Sequence, residues 1–199
     1  SSIGEDAFTW CSGLTGIWGD ENNLYFSNDL HGVLFNNEKT ELVRAPSALD
    51  GNYDIPETVI RICNNAFSNC ENLAGVSIPE GTTNIGDDAF ASCDSLTNVV
   101  IPNGVVSIGE SVFDNCGNLV NAVIPSSVTE IGGYAFNGCR NLSCITLADG
   151  ITSIGIGMFN GCESLTSINL PSSLISIGYE AFQYCKGLTK IIIPENVAD

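Results

Sequence analysis

Nine cysteines are the most chemically versatile side chains of this 199-residue chain, and their spacing decides what they can do. Six of them, Cys70, Cys93, Cys116, Cys139, Cys162 and Cys185, recur every 23 residues. A structural zinc site draws on cysteine pairs roughly two to four residues apart, which this period does not supply. In a stack of equivalent turns, successive cysteines would lie about 5 Å apart, within disulfide reach. Bridging only some of six inward-pointing positions would pull neighbouring turns unevenly. A ladder of reduced, close-packed thiols is therefore the expectation, with partial bridging as the alternative. Cys63 and Cys144 fall outside the ladder, and the repeat frame puts Cys144 on an outward strand face as an exposed thiol.

The remaining inventory is poor in catalytic groups. His31 is the only histidine, and no motif brings a cysteine or serine to it. Asp87 and Asp88 are adjacent, in a stretch where other copies of the repeat carry unrelated residues, which reads as solvated loop. The chain has no calcium-loop pattern and no phosphate-cradling glycine motif. The expectation is a protein with no catalytic residues, no metal and no cofactor. Charge narrows the partners: six Lys+Arg against 23 Asp+Glu give a net charge of -17. Such a field repels nucleic-acid phosphates and anionic lipid, so neither is an expected partner. No apolar run approaches the roughly 18 residues a membrane span needs. With 44% hydrophobic and only 15% charged residues, the chain is expected to fold rather than stay disordered.

The elements that position these residues follow from the repeat itself. Phe67, Phe90, Phe113, Phe136, Phe159 and Phe182 keep the same 23-residue spacing, as do leucines from Leu73 to Leu188 and isoleucines from Ile62 to Ile177. Leu96, Val99 and Ile101 end in an apolar alternation of period 2, which predicts a short strand with one face buried. A proline closes it at Pro79, Pro102, Pro125, Pro171 and Pro194, with Ala148 in the remaining copy. Gly86, Gly109, Gly132, Gly155 and Gly178 then mark a turn of positive φ or a close backbone approach, and Cys63 replaces this glycine in the first full copy. Ala89, Phe90, Cys93 and Leu96 fit a single helical or 3₁₀ turn facing inward. One repeat cannot bury its own apolar stripe, whereas stacked repeats bury a continuous one. The expected fold is thus an α/β repeat: a solenoid of about eight turns, with a parallel sheet along one face and short helical or 3₁₀ turns opposite.

The whole chain, 1–199, reads as one solenoid. Residues 1–23 hold a partial first repeat, because Ile3, Gly4, Ala7, Phe8, Cys11 and Leu14 reproduce the offsets. Residues 24–56 form an irregular repeat or insertion, and 57–199 are regular. Within the insertion, Val33-Leu34-Phe35 and Leu42-Val43 flank a polar stretch and predict a hairpin, and Asp50-Gly51-Asn52 predicts a second turn. Trp10, Trp18, Tyr25, Phe26 and Tyr53 concentrate here, either as an exposed aromatic patch or as a seal on the first turns. The chain starts and stops inside repeats, so a signal peptide, an anchor or partner domains are expected beyond it.

The pattern Ile-Pro-x-x-Val-x-x-Ile-Gly-x-x-Ala-Phe-x-x-Cys-x-x-Leu-x-x-Ile resembles the 23-residue leucine-rich repeat of BspA-like bacterial surface proteins, the Treponema pallidum type. The likeness extends to the insertion, through Gly32-Val33-Leu34-Phe35-Asn36, Lys39-Thr40-Glu41-Leu42-Val43-Arg44 and Pro46. It implies an extracellular solenoid, on the cell surface or secreted by microbes of anaerobic mucosa, that adheres to host matrix or to other cells. A reducing habitat of that kind suits free thiols outside the cell.

Two outward positions per strand define the candidate contact surface. The first series runs Gly75, Asn98, Asn121, Cys144, Ser167 and Lys190, and the second Ser77, Val100, Val123, Thr146, Asn169 and Ile192. From Asn98 to Ile192 these are the expected partner-binding residues. Only Lys190 carries charge, on a chain of net charge -17. Small, amide and aliphatic side chains suit a broad, shallow contact with a host matrix protein or another cell-surface protein. Glycan is the weaker alternative, because sugar stacking draws on aromatic rings and the face has none. A plain spacer presenting other domains is the main alternative, in which the β-branched residues mean only that strands favour them.

Overall fold

The computed structural model describes Ile3, Gly4 and residues 7–198. Ser1, Ser2, Glu5 and Asp6 of the partial first repeat, and Asp199, lie outside the described residues. The expected hairpin is present and gains a strand: β1 (Phe26–Asn28), β2 (Leu34–Asn36) and β3 (Glu41–Arg44) pair antiparallel in succession. From there the chain winds in an alternation of longer and shorter strands: β4 (Gly51–Asp54), β5 (Arg61–Ile62), β6 (Leu73–Ser77), β7 (Asn84–Ile85), β8 (Asn98–Val100), β9 (Ser107–Ile108), β10 (Asn121–Ile124), β11 (Glu130–Ile131), β12 (Cys144–Leu147), β13 (Ser153–Ile154) and β14 (Ser176–Ile177).

Each coil contributes to two parallel ladders rather than to the single sheet expected. The longer strands pair as β4–β6 and as β8–β10–β12, with an isolated parallel bridge from Ser167 to Lys190. The shorter ones continue the hairpin in the order β3–β5–β7–β9–β11, followed by the pair β13–β14. The result is a β-solenoid of about six turns, not eight. Asp50-Gly51-Asn52 is not a separate turn: Gly51 opens β4, and its positive φ (69°) is absorbed by a register irregularity against β6. Ala148, standing where other copies have proline, uses its free N–H to bond the Ile124 carbonyl of the coil before (3.2 Å).

No helix, α or 3₁₀, is found among the described residues, which corrects the expected helical turns. The reason is a pair of left-handed residues in each copy. Asn65 and Asn69, Asp88 and Ser92, and Ser111 and Asn115 all have φ between 53° and 63°. A right-handed helix cannot pass through such a residue. Alternate amides instead do two jobs. Ala66, Ser68 and Cys70 close four-residue turns onto Cys63, Asn65 and Phe67, while Asn65, Phe67 and Asn69 donate to Asp87, Ala89 and Ala91 of the next coil at 2.7–2.8 Å. The turn side of the solenoid is therefore cross-linked between coils much as a sheet is.

The apolar positions fill one continuous core. The phenylalanines from Phe67 to Phe182 stack with centroids 5.0–5.7 Å apart and rings within 6–19° of parallel. Tyr53 ends this stack against Phe67 and donates its hydroxyl to Asp29 Oδ2 (2.7 Å), tying the insertion to the first coil. The recurrent glycine serves close approach: a side chain at Gly109 would sit 2.5 Å from the Asp87 amide nitrogen, and one at Gly178 2.7 Å from that of Ile156. The N-terminal copy has the local shape of a repeat, since Ala7, Cys11 and Leu14 donate to Gly4, Phe8 and Cys11. It does not join the core, however, and Cys11 is exposed.

Candidate interaction face

β8, β10 and β12 bring the outward residues into register. Asn98, Asn121 and Cys144 are Cα partners across the three strands, as are Val100, Val123 and Thr146. Ser167 and Lys190 extend the first row through their bridge. Asn98, Val100, Cys144, Thr146, Ser167, Asn169, Lys190 and Ile192 are exposed, while Asn121 and Val123 are half-buried between neighbours on both sides. The alternate residues Val99, Ala122 and Ile145 point into the core. Period-2 burial thus holds each ladder residue outward by anchoring its neighbours. No group of the face other than Lys190 is charged, so what it offers is amide, hydroxyl, thiol and aliphatic surface.

The other residues with chemical potential do not converge on it. All nine cysteines are free. Within the ladder, each thiol does more than fill space. Cys93 Sγ donates to the Phe67 carbonyl (3.2 Å) and Cys116 Sγ to that of Phe90 (3.0 Å), and the same contact recurs at Cys139, Cys162 and Cys185. Burial pushes the thiols of Cys70 and Cys116 up to about 12, and those of Cys93 and Cys139 well above the usual range, because a thiolate there would lose its hydration. Cys63 is raised to about 11 by burial and then by Glu41, with Arg61 opposing. These are inert thiols. Cys144 is exposed as expected, and Cys11 shares that property.

His31 lies at the surface with Nδ1 3.4 Å from Asp29 Oδ2 and its ring edge-on to Tyr53. Among the described residues no group of three or more His, Cys, Asp or Glu is placed to hold a metal ion, and no helix is long and apolar enough to cross a membrane. The aromatic residues of the N-terminal part divide. Tyr53 is buried and Phe26 half-buried, whereas Trp10, Trp18 and Tyr25 are 80%, 63% and 60% exposed.

Sequence reasoning missed a second outward row, on the shorter strands, where Arg61, Asn84, Ser107 and Glu130 are in register. A depression of about 600 Å³ follows that row, and Asn84 Nδ2 donates to Ser107 Oγ within it (2.7 Å). Its signal is the polar residue that precedes each repeat isoleucine, at Arg61, Asn84, Ser107 and Glu130. The thiol–carbonyl bonds had no sequence signal beyond the cysteine period itself.

The two-ladder solenoid with its inward Phe, Cys and Leu columns defines a leucine-rich-repeat architecture. The family model for the BspA-type leucine-rich repeat region matches six copies, over residues 51–155 and 83–199. The chain belongs to that BspA-type leucine-rich-repeat family. It is similar to a leucine-rich repeat protein of Eubacterium ventriosum at 31% identity and a TM-score of 0.89, over 98% of this chain and 52% of that one. A leucine-rich repeat protein of Bacteroides ovatus is 26% identical with a TM-score of 0.73, over 90% and 54%. A leucine-rich cell surface protein of Faecalibacterium prausnitzii is 27% identical with a TM-score of 0.51, over 75% and 55%. The chain spans about half the length of each of these structures. No curated protein matches the sequence.

Proposed function

We propose that this chain is a noncatalytic protein-interaction module, secreted or held on a cell surface, which meets its partner through the ladder face of β8, β10 and β12 and the strand-like rows beyond them. The observation that carries the reading is the double row from Asn98 to Ile192, in register across β8, β10 and β12, with Lys190 as its one charge on a chain of net charge -17. Like-charge crowding elsewhere keeps the molecule soluble, and the neutral rows give the surface where close contact costs least desolvation. Solenoids of stacked repeats use such extended faces to bind. The extracellular placement is supported by the Faecalibacterium prausnitzii neighbour, described as a cell surface protein.

A panel of immobilised host matrix proteins, cell-surface proteins and glycans tests this. Saturable binding to a protein on the panel is the expected result. Binding to glycans alone would move the module to the sugar-binding class, and no binding at all would leave it a spacer. Hydrolytic turnover of any panel component would contradict the noncatalytic assignment.

A further inference from the structure

The ladder face has one gap. Where β8, β10 and β12 present Asn98, Asn121 and Cys144, the equivalent position on β6 is Gly75, which has no side chain. A depression of about 660 Å³ opens there, over β4, β6 and β8. It lies at the seam between two sheets, since β6 pairs with β4 and β8 with β10. Asn52, Ser77, Asn98 and Val100 are among its walls, and Asp54 and Glu80 bring two exposed carboxylates to it. None of the six basic side chains of the chain lines it. Asp54 is oriented by Ser77, whose Oγ donates to Oδ1 at 2.6 Å. Val100, 62% exposed, offers an aliphatic wall beside these polar groups.

A concave site with an apolar wall, amide and hydroxyl hydrogen-bonding groups and two carboxylates without a cation complements a long side chain that is aliphatic along its stem and positive at its end. A bare metal ion does not fit, because among the described residues no group of three or more His, Cys, Asp or Glu is placed to hold one. We infer that this depression receives one lysine or arginine side chain from an extended segment of the partner protein, its stem on Val100 and its charged end at Asp54 and Glu80. Sheet faces read extended peptides through pockets for individual side chains. The inference rests on the ladder face being a protein contact surface, and it names the anchor that surface selects.

The test is an amide-resonance titration with two acetylated and amidated heptapeptides, glycine throughout except for a central lysine or a central norleucine. The lysine peptide should shift Gly75, Ser77 and Val100 saturably, and the norleucine peptide should not. Two variants should abolish those shifts. D54N/E80Q removes the charge from exposed positions. Gly75→Leu fills the gap with both carboxylates kept, and it is sterically mild because an added Cβ meets only the movable Asn52 side chain. Equal shifts with norleucine, shifts only at other acidic loops, or retention in both variants would overturn the inference. The pair T146K/N169K lies outside the depression and separates the two readings. Panel binding lost in that variant keeps the ladder face even where the peptide result fails, whereas panel binding retained by the folded variant overturns the ladder face and, with it, the depression's role as that surface's anchor.

Discussion

The Cys116 thiol donates to the Phe90 carbonyl of the preceding coil across 3.0 Å, so the cysteine ladder links coils as well as filling the core. Both residues are fully buried. Cys116→Ala removes the donor and leaves a small void, and it should cost about 1–3 kcal/mol in unfolding free energy. Cys144→Ala, at an exposed position, should stay within about 0.5 kcal/mol of the parent. Chemical denaturation of the two variants side by side checks the contrast.

The same burial makes stability fall at alkaline pH. The folded-state values of Cys70 and Cys116 are raised from 9.0 to about 12, so the folded chain holds these protons where the unfolded chain has released them. Their contribution is complete below about pH 9 and is lost as pH rises from there toward 12. Each such thiol adds a slope of about 1.4 kcal/mol per pH unit within that window. Urea midpoints between pH 7 and pH 10.5 should be flat to about pH 8.5 and then drop, and the drop should be shallower in Cys116→Ala.

Tyr53 fixes the insertion to the first coil through Asp29, which also accepts the amides of His31 and Val33 on its other oxygen. Tyr53→Phe keeps the ring against Phe67 and deletes only the hydroxyl. The expected cost is about 1–2 kcal/mol, with hydrogen exchange accelerated in residues 29–36 and unchanged in β10 and β12. Equal acceleration throughout the solenoid would contradict a local clasp.

Much of this architecture is written in the sequence because a solenoid repeats its instructions. The Phe, Cys and Leu columns each fix an inward position six times over, and period 2 around Val99 fixes which residues face out. The hairpin of Leu34 and Leu42 is legible from two short apolar runs flanking a polar turn. The missing helices were legible only in part. The left-handed positions carry mostly Asn, Asp and Gly, such as Asn69, Asp88, Asn115, Gly138 and Gly161, the residues that tolerate positive φ. That column competes with the 3-residue spacing of Phe, Cys and Leu, which a succession of tight turns satisfies as well as a helix does. The second ladder was hidden because its strands are two residues long, too short for any period to register. Contacts such as Asp29 with Tyr53 depend on how the irregular segment packs, and no local pattern encodes that.

The central claim is that the registered outer rows are the contact surface. The most direct measurement compares panel binding of the parent chain with that of N98K/N121K/T146K/N169K, with thermal unfolding of both recorded to establish that the variant is folded. Four ammonium groups on a neutral face should abolish binding and leave the unfolding transition cooperative. Undiminished binding by a folded variant would contradict the account and place the contact surface elsewhere on the solenoid.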